Sequence, residues 1–576
     1  MNEEEIVELT EDLSGSSLYS EDLAPVPKNK RSWTKWSLAA LWVGMAVCIP
    51  TYLLASYMMK EGMGWLESLI IIGIANLIIT IPMVLNGHAG VKYGVPFPVL
   101  GRSSFGTKGV HLASVTRGIV ACGWFGIQTW IGGMALYEII YAFSDGATPS
   151  DLNWLMFVCF GVFWFMNMYF IWKGTDSIKW LEEYSAPILI LMGVILIGWS
   201  AYNAGGFGVV LDQSVQLQRA TLDVSEHEND YSIKLNGITD KNGDTKANMY
   251  GYRRVTKSGS DMTEYHPFPE RGILSISKHV AENETGSIQL IYKTNTEHIE
   301  SSWTTIVLDA PPVEAKNKLW QYVKWLTVML GFWATMSLSI SDITRFSPSQ
   351  KAQKQGQFIG LPGTMMLYSF VAIFVTCASV LVFKDVLIAA DAPWDPTALL
   401  GKFDSPWVVI IAQIFMIIAT LSTNIAANVI APSNAFSNLY PKKISFKMGG
   451  TITGVLGILI CPWWLMNDIA GILILVSGFL GPVLAIMLCD YFFIRRKLLK
   501  LPELYKSDGE YSYSSGFNVR AMISLLIGIG GALIWYLVPS LSYLSDLAWF
   551  TGFIISFIVY YLFMRKRIEP KSLIQH

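Results

Sequence analysis

The residues able to do chemistry in this chain lie inside apolar stretches, where a polar group is costly and needs a reason. The run Trp124-Phe125-Gly126-Ile127-Gln128-Thr129-Trp130 places Trp124 and Gln128 four residues apart, on one helix face. That face offers a flat aromatic surface and an amide that both donates and accepts. A planar heterocycle would stack on the first and pair its edge with the second. An interfacial aromatic beside a packing amide fits the same pattern, and local sequence leaves the two open. A second run, Gly331-Phe332-Trp333-Ala334, sets glycine beside an aromatic pair in another apolar stretch. It reads either as a break in a membrane helix, of the kind that builds midplane sites, or as an ordinary glycine contact.

The most informative run is Ala419-Thr420-Leu421-Ser422-Thr423-Asn424-Ile425-Ala426-Ala427-Asn428. Ala419, Ser422 and Thr423 share a face whose carbonyl and two hydroxyls suit a small hard cation. Sodium needs further oxygens. The first apolar stretch can supply them, because Gly44 and Pro50 loosen its backbone near Val47 and release carbonyls. Asn428, one turn on, is within reach of a substrate. Alternatively, the hydroxyls simply bond back to the preceding turn.

These residues need membrane helices to position them. Of 576 residues 52% are hydrophobic and 15% charged, too little charge to cover a soluble surface. Roughly a dozen stretches reach the ~20 apolar residues that a spanning helix requires. Those that carry the runs above are 36–59, 109–142, 319–341 and 405–432. Lys28, Lys30, Arg31 and Lys35 precede the first span and Arg565, Lys566 and Arg567 follow the last, so both termini read as cytoplasmic. Residues 205–317 are polar, with alternating runs such as Tyr231-Ser232-Ile233-Lys234-Leu235 and Ser287-Ile288-Gln289-Leu290-Ile291-Tyr292. They predict an antiparallel β-rich insertion on the outer side. The acidic, polar first 34 residues predict a disordered tail.

Several chemistries find no support. Cys48, Cys122, Cys159, Cys377, Cys461 and Cys489 have neither zinc-ligand nor CxxC spacing. No phosphate-binding glycine loop or nucleophile elbow is present, so an enzyme is not expected. A net charge of -2 without a basic face gives no footprint for nucleic acid.

The runs Ser37-Leu38-Ala39-Ala40-Leu41-Trp42, Tyr93-Gly94-Val95-Pro96-Phe97, Trp124 to Trp130, Ser422 to Asn428 and Asp490-Tyr491-Phe492 resemble the nucleobase:cation symporter-1 family. The resemblance implies a LeuT-like core of two inverted five-helix repeats, two peripheral helices, and breaks in the first and sixth helices. It also implies substrate stacked between Trp124 and Trp333, and hydrogen-bonded by Gln128, Asn428 and the backbone of Phe332. For the coupling ion it implies sodium held by carbonyls of Gly44, Val47 and Ala419 and hydroxyls of Ser422 and Thr423. Two positions depart from the family's hydantoin transporter: Cys48 stands for a glutamine and Phe332 for a glycine, which puts the substrate's identity in question. No carboxylate stands among these residues, which weighs against a proton carrier.

The resulting expectation is an all-α polytopic membrane protein with about 12 transmembrane helices. Its parts are a tail (1–34), helices 1–5 (35–204), the extracellular β-rich insertion (205–317), helices 6–10 (318–504), and helices 11–12 with a cytoplasmic tail (505–576). Its expected role is import of a planar nucleobase or related heterocycle by symport with sodium or a proton, with the lipid bilayer and a small heterocycle as partners. No other cofactor and no nucleic acid is expected, and nothing names a partner for the insertion. The alternatives are a proton-coupled carrier of another small polar solute and a membrane sensor using the outer segment.

Overall fold

Thr34 opens the first long helix by accepting a bond from the Ser37 amide, and helix α1 then runs Lys35–Ala46. The chain breaks at Val47 and resumes as α2, Ile49–Lys60, bent by 61° from α1. The Cys48 amide turns to Ala46 O at 3.0 Å, and Pro50 has no amide to give. The loosening expected near Val47 is therefore a full interruption of the helix.

The computed structural model describes residues 6–61, 63–143, 152–216, seven strands between Thr221 and Val307, 318–382, 396, 399, 405–465, 469–538, 544, 545 and 547–566. The helices that matter below are α3 (Trp65–Tyr93), α4 (Val110–Tyr141), α5 (Trp154–Lys173), α6 (Thr175–Asn203), α7 (Lys318–Ser339), α8 (Gln350–Val382), α9 (Pro406–Asn428), α10 (Ile430–Leu439) and α11 (Phe446–Leu459). Among the described residues, six helices are long and apolar enough to cross a membrane, or seven if α1 and α2 form one bent span. Their outer faces are built for lipid. On α3, Leu66, Ile70, Ile74, Leu77, Ile81 and Leu85 are all exposed, at spacings of three and four that form a single stripe. The opposite side of α3, including Ile72, Ala75 and Ile79, is fully buried in the bundle.

Helix α7 departs from the sequence reading. Residues Gly331 to Ala334 lie within continuous α-helix, and the interruption comes only at Ile340, before a short turn at Ser341–Thr344. Nothing at Gly331 removes an amide, unlike Pro50 in the first span, so the ladder continues through it.

Between α6 and α7 the described residues include two antiparallel sheets. One has the order β1-β2-β5 and the other β4-β3-β6-β7. The strands are β1 Thr221–Glu226, β2 Asp230–Asn236, β3 Ala247–Arg254, β4 His266–Pro267, β5 Ile273–Ser277, β6 Ser287–Thr294 and β7 Thr304–Val307. Ile233 pairs with Val224 on one side and Leu274 on the other.

The expected disorder of residues 1–34 is corrected from residue 6 onward. The Val7 amide donates to Lys92 O, the Trp33 amide to Phe346 O, and the Tyr505 hydroxyl to Leu23 O. Asp22 accepts the Phe446 amide on its carboxylate at 2.8 Å, while its carbonyl accepts from Arg345. Composition hid this because the docking residues are few and scattered: Leu23 and Trp33 are buried, and Val7, Leu9, Leu13 and Tyr19 pack against the core.

Candidate functional site

The break between α1 and α2 creates the first half of the site. In an unbroken helix Gly44 O would accept from the amide of Cys48; that amide has turned to Ala46 O. Gly44 O instead accepts from the Thr423 hydroxyl of α9 at 2.8 Å, with Met45 O at 3.5 Å from the same hydroxyl. The preceding residue on α9, Ser422, donates its hydroxyl to Glu182 Oε2 of α6 at 2.8 Å. A side chain at Gly44 would collide with both Glu182 Oε2 and Ser422 Oγ, so the three helices α1, α6 and α9 meet here at backbone distance.

The Gly44 carbonyl, the Ser422 and Thr423 hydroxyls and the Glu182 carboxylate bring four oxygen groups together here, the donor type that suits a small hard cation, with the Cys48 thiol beside Thr423. Glu182 is 1% exposed, and its Oε1 has no hydrogen-bond partner. The residues present therefore fit a cation. Ala419 is buried on the same helix, one turn before Ser422 and Thr423. Val47 holds the non-helical position at the break, at φ -81° and ψ 81°.

The second half of the site lies where α4, α7 and α1 converge. Phe332 touches Trp124 with ring centroids 6.3 Å apart and Trp333 at 4.8 Å, both edge to face. Trp333 in turn meets Trp42 of α1 at 5.2 Å. The four rings form one chain, with Phe332 between the two tryptophans expected to sandwich a ligand. Gln128 is 2% exposed and its Oε1 has no partner; Trp333 is 3% exposed and its Nε1 has none either. Each orphaned group costs about 1–3 kcal/mol relative to a bonded one.

Asn428 donates to Asn424 Oδ1 at 3.2 Å. Asn424 reaches Phe125 O at 3.2 Å, Thr129 Oγ1 at 3.1 Å and Asn167 Oδ1 at 3.1 Å, tying α9 to α4 and α5. Cys48, buried at the break, contacts Thr51 Oγ1 at 3.3 Å. The candidate residues thus fall into two groups. Gly44, Ser422 and Thr423 are in mutual contact through hydrogen bonds or steric limits, and Trp124, Phe332 and Trp333 through their rings. Cys48, at the break between α1 and α2, interacts with the Thr423 side chain and so adjoins the first group, while Gln128 and Asn428 are buried on α4 and α9.

Three participants escaped the sequence reading. Glu182 has no place in the sequence reading; its signal is a carboxylate at the start of an apolar stretch. The statement that no carboxylate stands among the site residues is corrected by its bond to Ser422. Asn424 lies inside the informative run but had no role assigned. Arg117, 1% exposed, donates to Thr335 O at 2.8 Å, Ser339 Oγ at 3.2 Å and Ala427 O at 3.2 Å. It therefore fixes α4 against α7 and the end of α9, the helices that carry the aromatic chain and Asn428. A charge inside an apolar span was the available signal. Asp342 and Arg345 lie buried just beyond the end of α7. Asp342 accepts from the Phe97 amide and Asn434, and Arg345 donates to Asp22 O.

A cleft of about 550 Å³ lies away from this site, lined by loop and helix-end residues including Lys108, His111, Lys442 and Lys443. It contains none of the candidate residues.

The model of a family of permeases for cytosine and purines, uracil, thiamine and allantoin matches residues 25–225 and 300–567. The chain is 33% identical to a purine-uracil permease of Arabidopsis thaliana over 96% of its own length and 79% of the relative's. It is 31% identical to an allantoin permease of Bacillus subtilis (strain 168), covering 96% of this chain and 95% of that one. Among solved structures it is similar to a nucleobase-cation-symport-1 family transporter in a closed conformation with bromovinylhydantoin bound. There the TM-score is 0.66 at 21% identity, over 95% and 96% of the two chains, a likeness of fold. The gap in the match, 226–299, falls within the strand-bearing segment. With two thirds or more of its length matched and apolar helices faced for lipid, the chain is an integral membrane transporter, not an enzyme, and belongs to the family of permeases for cytosine and purines, uracil, thiamine and allantoin.

Proposed function

We propose that this permease imports a planar nucleobase or related heterocycle of uracil, cytosine, purine, allantoin or hydantoin type, by symport with sodium through alternating access. The observation that carries this reading is Gln128 Oε1, a buried acceptor without a donor, on the helix that brings Trp124 to the aromatic chain. A flat ring with a donor on its edge would satisfy it while its face lies against an indole. In this reading Trp124 and Trp333 stack the substrate, Gln128, Asn428 and the Phe332 backbone bond it, and Cys48 faces one edge. For that to happen the Phe332 ring must leave its position between the tryptophans.

The cation is held by carbonyls of Gly44, Val47 and Ala419 and hydroxyls of Ser422 and Thr423. Coupling follows from shared helices. Helix α1 carries Gly44 as well as Trp42, which touches Trp333, and α9 carries Ser422 and Thr423 as well as Asn428. A cation that fixes α1 against α9 fixes the substrate pocket too, so each ligand strengthens the other's binding.

The remaining architecture belongs to the same proposal. It comprises about twelve spans with a core of two inverted five-helix repeats, and both termini cytoplasmic. The strand-bearing segment 205–317 lies on the outer side between helices 1–5 (35–204) and 6–10 (318–504), and helices 11–12 occupy 505–576.

A thermal-shift panel tests the reading: purified protein with nucleobases, hydantoins and allantoin, each in sodium or choline. Ligand binding to the folded state raises stability by mass action. One planar compound should stabilise the protein, and more strongly in sodium. Silence from every compound in both salts would sink the substrate class.

A further inference from the structure

We propose that Glu182 is an anionic ligand of the coupling cation, completing the oxygen cluster of Gly44, Ser422 and Thr423. This rests on the cation site described above and adds to it a charged member from a third helix. Four observations support it. The carboxylate is 1% exposed on α6, in the span Thr175–Asn203. One oxygen, Oε2, accepts from Ser422 at 2.8 Å. The other, Oε1, has no partner at all. Finally, Gly44 gives the carboxylate its space, since any side chain there would run into Oε2.

The energetics of burial turn this geometry into a statement about an ion. An ionised carboxylate taken from water into a bundle interior costs several kcal/mol unless it is paired. Among the described residues no lysine, arginine or histidine forms an ion pair with Glu182. Two buried arginines bond elsewhere: Arg117 to α7 and α9, Arg102 to Leu504 O and Asn438. A cation between α1, α6 and α9 would supply the missing counter-charge. It would also draw a third helix into the junction, so the ion would clamp α6 as well as α1 and α9.

A carboxylate that only anchors the Ser422 hydroxyl would look the same in the resting structure but would not affect ion affinity. Glu182→Gln separates the two roles. It keeps the shape and an acceptor oxygen for Ser422, and removes the charge.

The experiment measures sodium binding without substrate, through the sodium dependence of thermal stability with choline as the control, on the full chain. Three proteins are compared: unmodified, Glu182→Gln and Ser422→Ala. The proposal expects the half-saturating sodium concentration to rise by about tenfold or more in Glu182→Gln, the scale on which loss of a group supporting a metal site is felt. If Ser422→Ala weakens sodium binding while Glu182→Gln matches the unmodified protein, Glu182 is structural; the proposal is overturned and the cation site stands. If the unmodified protein shows no sodium response, both fall. Should Glu182→Gln fail to fold, a sodium-minus-choline infrared difference spectrum of the unmodified protein decides. A carboxylate band that shifts with sodium supports ligation by a carboxylate, and a spectrum with no carboxylate change overturns it.

Discussion

Replacing Gln128 with leucine should move stability and binding in opposite directions. In the substrate-free protein Gln128 is 2% exposed and its Oε1 is an acceptor without a donor. Such a group costs about 1–3 kcal/mol, and an apolar side chain removes that cost. Leucine has a similar volume, so repacking takes back less than about 1.5 kcal/mol. The melting temperature without ligand should therefore hold or rise. With substrate present the balance reverses. The ligand donor that met Gln128 now faces a methyl group, and an unmet buried donor again costs about 1–3 kcal/mol. At 1.4 kcal/mol per decade that weakens binding by roughly 5- to 150-fold. The assay is a thermal scan in lipid nanodiscs with and without ligand, followed by equilibrium binding of whichever compound the panel selects. A lower melting temperature together with an unchanged dissociation constant would refute the reasoning. It would mean that Oε1 is satisfied at rest and that the amide is a packing group.

Trp124→Ala and Asn428→Ala should each reduce substrate affinity by roughly 5- to 150-fold, since a stacked base is worth about 1–3 kcal/mol and leaving a buried polar group unpaired costs a comparable amount. Both should remain monodisperse on size exclusion, and normal uptake by both would remove them from the site. Asp22→Ala should lower thermal stability by about 1–2 kcal/mol, because it strips the partner from the Phe446 amide and leaves a buried donor. An unchanged melting curve would count against a docked N-terminal segment.

The helices were legible where hydropathy alone determines them. A membrane span announces itself by length and composition, and the interruption at Val47 followed from Gly44 and Pro50, residues with a known backbone effect. Gly331 left two readings open, and α7 follows the ordinary glycine contact rather than the break. Glycine permits a break but does not impose one, and α7 keeps its hydrogen bonds where no proline removes a donor. In the site, the Ser422 and Thr423 hydroxyls were readable because two adjacent hydroxyls one turn after Ala419 gather oxygens on one side of a helix. Glu182 was not, because its partner lies 240 residues away and nothing local marks its rotation toward α9. The N-terminal segment failed on the same principle. A disorder signal is an average over composition, whereas docking needs only a few apolar side chains at the right places.

That segment also bears on how the chain should be handled. Trimming it to Lys35, as its composition invites, would uncover Trp33 and Leu23, both buried, and strip partners from Lys92 O, Phe346 O and the Phe446 amide. These groups belong to distant parts of the chain, so residues 6–34 act as a suture drawn across one end of the bundle. Each bond contributes about 0.5–1.5 kcal/mol net, so three of them with the buried rings exceed what a marginal membrane protein can lose without consequence. A shortened chain that expresses poorly would reflect an opened seam and say nothing about the pocket.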